Sequence, residues 1–108
     1  DPLPADGGEQ LSVVKQYVSS IFQQDATTLR NTLTSPFTYE ADEKLWQGWQ
    51  SEVFEPFEKF EGYTRGDNAV VIVYGKSKLF DNAKAKMTFQ LRRLDGQWKV
   101  ADKRLDIN

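Results

Sequence analysis

The chain has 108 residues, of which 39% are hydrophobic and 28% are charged, with a formal net charge of −2. This is the size of one small globular domain that can bury a core without disulfides or a structural metal. It contains no histidine and no cysteine, which excludes the usual zinc sites, thiol nucleophiles, serine–histidine relays and imidazole bases. We therefore expect neither a metal nor a cofactor, and a non-catalytic role is favoured over an enzymatic one.

The first eight residues, 1–8, are polar and rich in Pro and Gly. This composition is typical of a flexible tether and predicts a single domain over residues 9–108. A start at Asp1 favours the removal of a leader, so we expect an exported protein of the bacterial periplasm or envelope, including the case of a lipoprotein anchored through a preceding segment. No apolar run reaches the roughly 18 to 20 residues that a bilayer crossing requires.

Three helices are predicted in the first half of the chain. Residues 10–24 place apolar side chains on one helical stripe. Asp25 is positioned to cap a second helix that ends before Pro36, and after a short strand at residues 37–39 Asp42 is positioned to cap a third helix that ends at Pro56. The apolar positions of the three helices are Leu11, Val14, Tyr17, Val18, Ile21 and Phe22, then Leu29 and Leu33, then Leu45, Trp46, Trp49 and Val53.

The second half of the chain predicts an antiparallel sheet. Residues 60–64 form a short strand and residues 69–74, apolar on both faces, a central one. Between them lies Arg65-Gly66-Asp67, which spells an adhesion tripeptide but is explained equally well by turn chemistry.

Residues 83–92 alternate strictly between apolar and polar side chains, which predicts one buried and one exposed face. Asp95-Gly96 predicts a tight hairpin into a last strand. Trp98 and Val100 have even numbers whereas Leu105 and Ile107 have odd ones, so a β-bulge is predicted near Asp102. The residues predicted to be buried are Ala85, Met87, Phe89 and Leu91, and those predicted to be exposed are Lys84, Lys86, Thr88 and Gln90.

Helices followed by an antiparallel meander make an α+β layout in which three N-terminal helices cover one face of a strongly curved sheet. Three stretches carry a resemblance: Tyr17-Val18, the Asp25-x-x-x-Leu29 helix start, and a closing pattern of Phe89, Leu91, Arg93, Asp95, Gly96, Trp98, Lys99 and Val100. On these stretches the chain resembles the nuclear transport factor 2-like superfamily, whose cone-shaped, cystatin-like fold is shared with ketosteroid isomerases and SnoaL-type polyketide cyclases. Its closing hairpin is similar to that of small bacterial envelope lipoprotein domains of unknown function.

The resemblance implies a cavity between the concave face of the sheet and the helices. In isomerase-like members a helix tyrosine and a carboxylate near the first strand face this cavity, so Tyr17 with Glu40 or Asp42 is the candidate catalytic set, as hydrogen-bond donor and base. The more ordinary interpretation is that Tyr17 is a core residue with its hydroxyl at the rim. The candidate ligand-binding wall consists of Tyr17, Trp46, Trp49, Phe89 and Trp98.

Charge is distributed unevenly, with 5 basic and 12 acidic residues in residues 1–75 against 9 and 4 in residues 76–108. The basic side chains alternate along strands, which is typical of a solvated face rather than of a nucleic-acid site. Lys84, Lys86 and Arg92 would meet their own copies across a symmetric contact, so we expect a monomer or a weak homodimer. Asp102 is interpreted either as a buried acid or, more simply, as part of a surface ion pair.

Two functions follow from these patterns. The favoured one is a non-catalytic, exported domain that binds a small apolar ligand or a protein partner, and the alternative is a small-molecule isomerase or cyclase that uses Tyr17 with Glu40 or Asp42. An inner wall made only of apolar side chains would support binding, whereas a carboxylate converging on a tyrosine hydroxyl would support catalysis. Neither a nucleic acid nor a membrane span is expected.

Overall fold

Two helices and one four-stranded sheet make up the part of the chain that the computed structural model describes, residues 1–23, 25–34, 55–77 and 83–107. The strands are antiparallel in the order β1-β2-β3-β4, and the helices pack against one face of the sheet. The predicted α+β class is thereby confirmed. The elements are α1 (Gly8–Gln23), α2 (Ala26–Thr32), β1 (Glu55–Arg65), β2 (Asn68–Ser77), β3 (Ala83–Leu94) and β4 (Gln97–Ile107).

The predicted count of three helices is not supported. The strand predicted at residues 37–39 and most of the third helix fall outside the described residues, but Pro56, where that helix was expected to end, belongs to β1. β1 is the outermost strand beside β2, and their register shifts between Glu55 and Lys59. An edge strand with such an irregularity tolerates proline, which has no backbone N–H to donate.

Helix α1 begins at Gly8, two residues before the predicted start. Oδ1 of Asp6 accepts a hydrogen bond from the Gly8 amide at 2.9 Å, and a carboxylate is favourable at the positive end of a helix. Among the described residues, no helix has the length and hydropathy of a membrane span. The predicted stripe is confirmed wherever its side chains are described, since Leu11, Val14, Tyr17, Val18 and Ile21 are buried.

Helix α2 begins at the predicted cap. Asp25 accepts hydrogen bonds from the amide and the hydroxyl of Thr28, and the hydroxyl bond is the main reason that the pKa of Asp25 lies below its usual value. The helix ends at Thr32, earlier than predicted, because Leu33 adopts an extended conformation and pairs with Val100 of β4.

The sheet has an inner face, which packs on the helices, and an outer face. The prediction for β3 is confirmed on the inner face, and on the outer face Lys84 and Gln90 are exposed whereas Lys86 and Thr88 are half-buried. β2 lies between β1 and β3 as predicted. The buried residues of the inner face are Ala69, Val71, Val73, Ala85, Met87, Phe89, Leu91, Trp98 and Val100.

Both predicted turns and the predicted bulge are present. Asp95 and Gly96 have φ values of 51° and 79°, as a two-residue hairpin turn of the mirror-image type requires. Asp67 lies in the β1–β2 turn, and its Oδ1 accepts hydrogen bonds from Arg93 at 2.9 and 2.7 Å, so the tripeptide there is part of a structured turn. The bulge falls at Ala101, because Gln90 pairs with Asp102 and Leu91 with Val100.

Residues 1–3, which lie in the segment expected to be a tether, pair their backbone with β1. The Thr64 amide donates to the Asp1 carbonyl at 2.7 Å, and the Leu3 amide donates to the Gly62 carbonyl at 3.3 Å. Leu3 packs against the core. A chain segment that lacks a helical or strand pattern of its own can still satisfy the free backbone groups of an outer strand.

Candidate functional site

A tyrosine and a lysine meet between α1 and the inner face of the sheet. Tyr17 is completely buried, and its hydroxyl accepts a hydrogen bond from Nζ of Lys103 in β4. The same nitrogen lies 4.8 Å from the centre of the Tyr17 ring. Phe89 meets this ring edge to face, with ring centroids 5.6 Å apart and an interplanar angle of 73°. The ammonium is thus held by both the hydroxyl and the aromatic ring of one residue.

Lys103 reaches this position because of the bulge at Ala101. The extra residue reverses the alternation of β4, so that position 103 pairs with Phe89 and faces inward. Sequence reasoning missed this lysine, although the change of parity that predicted the bulge also predicts an inward side chain at position 103. The same reversal places Asp102 on the outer face, where it pairs in register with Gln90. Its side chain is exposed, so the interpretation as a buried acid is wrong.

Two half-buried apolar side chains lie on the inner face, at the two edges of the sheet. Leu105 in β4 and Phe60 in β1 are partly buried against the core. The register of the four strands aligns them in one row across the inner face. Val73 and Met87, in the middle of this row, are buried, and Phe60 and Leu105 stand at its two ends. We call Tyr17, Lys103, Phe60 and Leu105 the inner-face site. Its chemistry is apolar contact together with hydrogen-bond donation from an ammonium.

The structure brings together only part of the predicted site. Tyr17 and Phe89 are in contact, as the aromatic-wall hypothesis needs, but both are core residues. Trp98 lies at the start of β4, where the Arg93 guanidinium is 5.4 Å from its ring centre. The remaining predicted residues, Glu40, Asp42, Trp46 and Trp49, fall outside the described ranges.

A separate hollow lies between α1 and the start of β4. Its volume is about 530 Å³, and we call it the α1–β4 hollow. Neither Tyr17 nor Phe89 lines it, so it is distinct from the inner-face site. Its lining residues are Glu9, Ser12, Val13, Gln16, Asn31, Gly96, Gln97, Trp98 and Lys99.

The outer face carries charges of both signs, not only the basic residues Lys84, Lys86 and Arg92 from which repulsion was predicted. Arg104 and Asp106 form an ion pair at 3.1 Å, and Asp106 pairs in register with Lys86. The Tyr74 hydroxyl donates a hydrogen bond to Glu61. This bond to a carboxylate raises the pKa of Tyr74 above its ordinary value.

The fold can be compared with that of known proteins. No protein-family model and no curated sequence match the chain, whereas solved structures do. A protein of unknown function with a cystatin-like fold from Nostoc punctiforme is 13% identical with a TM-score of 0.73, over 98% of this chain and 94% of that one. A nuclear transport factor 2-like protein of unknown function from Pseudomonas putida is 15% identical with a TM-score of 0.70, over 94% and 86%. The chain has the nuclear transport factor 2-like fold.

A third match extends over almost the whole of both chains. It is a protein from Shewanella frigidimarina for which ketosteroid isomerase function is proposed, 14% identical with a TM-score of 0.74, over 96% of this chain and 99% of that one. At these identities the likeness concerns the fold alone, and a fold does not determine a function. Function must therefore be argued from the side chains.

Proposed function

We propose that this nuclear transport factor 2-like domain is a non-catalytic binding domain for a small apolar ligand or a protein partner at its inner-face site, in a protein exported to the bacterial envelope. The observation that supports binding is the character of that site. Half-buried Leu105 lies two residues from Lys103 on the same face of β4, half-buried Phe60 lies at the opposite edge of the sheet, and the Lys103 ammonium donates a hydrogen bond to the Tyr17 hydroxyl. The acidic residues of β4 provide no base there, because Asp102 and Asp106 pair with Gln90 and Lys86 of the outer face. The support for export is the closing hairpin with its Asp95-Gly96 turn, which resembles that of small bacterial envelope lipoprotein domains.

Apolar contact is sufficient for such binding. Removing apolar surface from water contributes about 25 cal/mol per Å² before the costs of ordering are subtracted. A small ligand that covers Leu105 can therefore bind without any reacting group.

A panel of neutral hydrophobic ligands should perturb the tryptophan emission of the protein. Replacing Leu105 by Ala should weaken the affinity of the best ligand about tenfold. The half-buried leucine offers the ligand about half of its apolar surface, and the substitution removes most of that contact. Arg104→Ala is the matched control, since its side chain is the exposed neighbour on the other face, and it should leave the affinity unchanged. Trp49→Ala should reduce the emission response without unfolding the domain. If no ligand shifts the emission, small-molecule binding is wrong and contact with a protein partner is the better interpretation.

The isomerase alternative is favoured by the Shewanella frigidimarina match and by Tyr17. It makes a separable prediction, because an isomerase would convert an unconjugated ketosteroid to its conjugated isomer, with a rise in ultraviolet absorbance. Tyr17→Phe would then abolish turnover, with little effect on the binding of an apolar ligand. We expect no turnover above the buffer rate, and turnover that depends on Tyr17 and on Glu40 or Asp42 would contradict our proposal.

We expect the protein to be a monomer or a weak homodimer. Lys84 and Arg92 are exposed on the outer face, and like charges oppose a symmetric contact there, although Glu61 and Asp106 offset part of this repulsion. Sedimentation should show association that is weak and dependent on ionic strength. A tight dimer that is insensitive to salt and is disrupted by Tyr63→Glu on the same face would contradict this expectation.

A further inference from the structure

The α1–β4 hollow has the size of a ligand site. Its volume of about 530 Å³ falls within the range of about 300–1,000 Å³ that is common for small-molecule sites. One wall is a single helical face, because the adjacent Ser12 and Val13 lie three and four residues after Glu9, and Gln16 lies three residues beyond Val13. The opposite wall comes from the start of β4.

The floor of the hollow is apolar and its rim is polar. Val13 and Trp98 retain only 8% and 7% of their exposed surface, and they line the hollow with what remains. The rim offers one hydroxyl and three side-chain amides, which supply both hydrogen-bond donors and acceptors. These rim residues are Ser12, Gln16, Asn31 and Gln97, all of them exposed.

The charges of the hollow balance. Glu9 and Lys99 carry opposite signs, and Nζ of Lys99 donates a hydrogen bond to the backbone carbonyl of Asn31 at the end of α2. This bond commits the ammonium to the helix terminus, where a cation is favourable. The hollow therefore offers neither net charge nor a cluster of like charges to an ionic ligand.

We propose that the α1–β4 hollow binds a neutral polyhydroxylated ligand of the size of one or two sugar rings. A sugar ring has an apolar C–H face that suits the floor of Val13 and Trp98. Its hydroxyls are both donors and acceptors, so they match side-chain amides, which present both groups. This site is additional to the inner-face site and does not depend on it.

The test is a titration of the isotope-labelled protein with neutral mono- and disaccharides, followed by nuclear magnetic resonance. The amide signals of Ser12, Gln16 and Gln97 and the indole N–H signal of Trp98 should shift, whereas the signals of Lys103 and Leu105 should not. Gln16→Ala and Gln97→Ala should each weaken binding about fivefold, the usual effect of one lost hydrogen bond between uncharged groups.

Gln90→Ala is the matched control, because it also removes an exposed glutamine side chain, but from the outer face and away from the hollow. It should leave the titration unchanged. The backbone amide spectrum of each variant reports whether the fold is retained. The proposal is overturned if no neutral saccharide shifts these signals, or if the shifts persist at full affinity in both hollow variants. It is also overturned if an uncharged blocked peptide shifts them and the saccharides do not. None of these outcomes bears on apolar ligands at the inner-face site, which are tested through Leu105.

Discussion

Replacing Phe89 by Ala should lower the free energy of unfolding by about 3–5 kcal/mol. Phe89 is completely buried in the central strand β3, and its ring packs edge to face on Tyr17 of α1. The substitution removes a large apolar surface and leaves a cavity between the sheet and the helix. Because a domain of this size is stabilised by only about 5–15 kcal/mol, the loss is a large fraction of the total.

Equilibrium urea unfolding measures this effect through the transition midpoint. The control is Gln90→Ala at the next position of the same strand, which is exposed on the outer face and should change stability by about 0.5 kcal/mol or less. Equal losses in the two variants would contradict the alternation assigned to β3.

A side chain at position 62 should disrupt the edge of the sheet that β1 forms. A Cβ atom on Gly62 would lie 2.1 Å from the Val70 carbonyl oxygen and 3.0 Å from Cδ1 of Leu3. The carbonyl belongs to the paired backbone of β2 and cannot move without breaking the ladder. Gly62→Ala should therefore cost about 1–3 kcal/mol, as overpacking usually does, and should also release Leu3.

Hydrogen exchange distinguishes this local effect from general destabilisation. The Thr64 amide, which bonds to the Asp1 carbonyl, should lose protection in Gly62→Ala far more than amides of β3 do. Tyr63→Ala serves as the control, since its side chain is 52% exposed, and it should cost about 1 kcal/mol or less. Unchanged exchange at Thr64 in Gly62→Ala would contradict the expected release of residues 1–3.

Residue periodicity predicted the elements that bury only one face. The apolar stripe of α1 and the alternation of β3 each require only one buried face, and both were recovered from residue spacing. The Asp25 cap and the Asp95-Gly96 turn depend on local chemistry and were equally accessible. The end of α2 and the start of β1 were not, because Leu33 and Pro56 take their conformations from pairing or from an outer position in the sheet. Such tertiary constraints override local propensity.

The candidate site was less predictable than the fold. Tyr17 was identified from its place on α1, but its partner Lys103 lies 86 residues away in sequence. Only the register of β4 brings the two together, and a lysine in a strand otherwise suggests a solvated face. The α1–β4 hollow combines residues from α1, α2 and β4, none of which forms a motif alone. Sites of this kind depend on how elements pack, which residue spacing does not report.

The pairing of residues 1–3 with β1 has a consequence for behaviour at high concentration. An uncovered strand offers its free N–H and C=O groups as a template on which another molecule can add a strand, the first step of many aggregation processes. Here the carbonyl of Gly62 and both backbone groups of Thr64 are already bonded to Leu3 and Asp1. Intermolecular strand addition along this stretch must first displace residues 1–3 of the same molecule. These residues therefore protect the solubility of the protein as well as its stability.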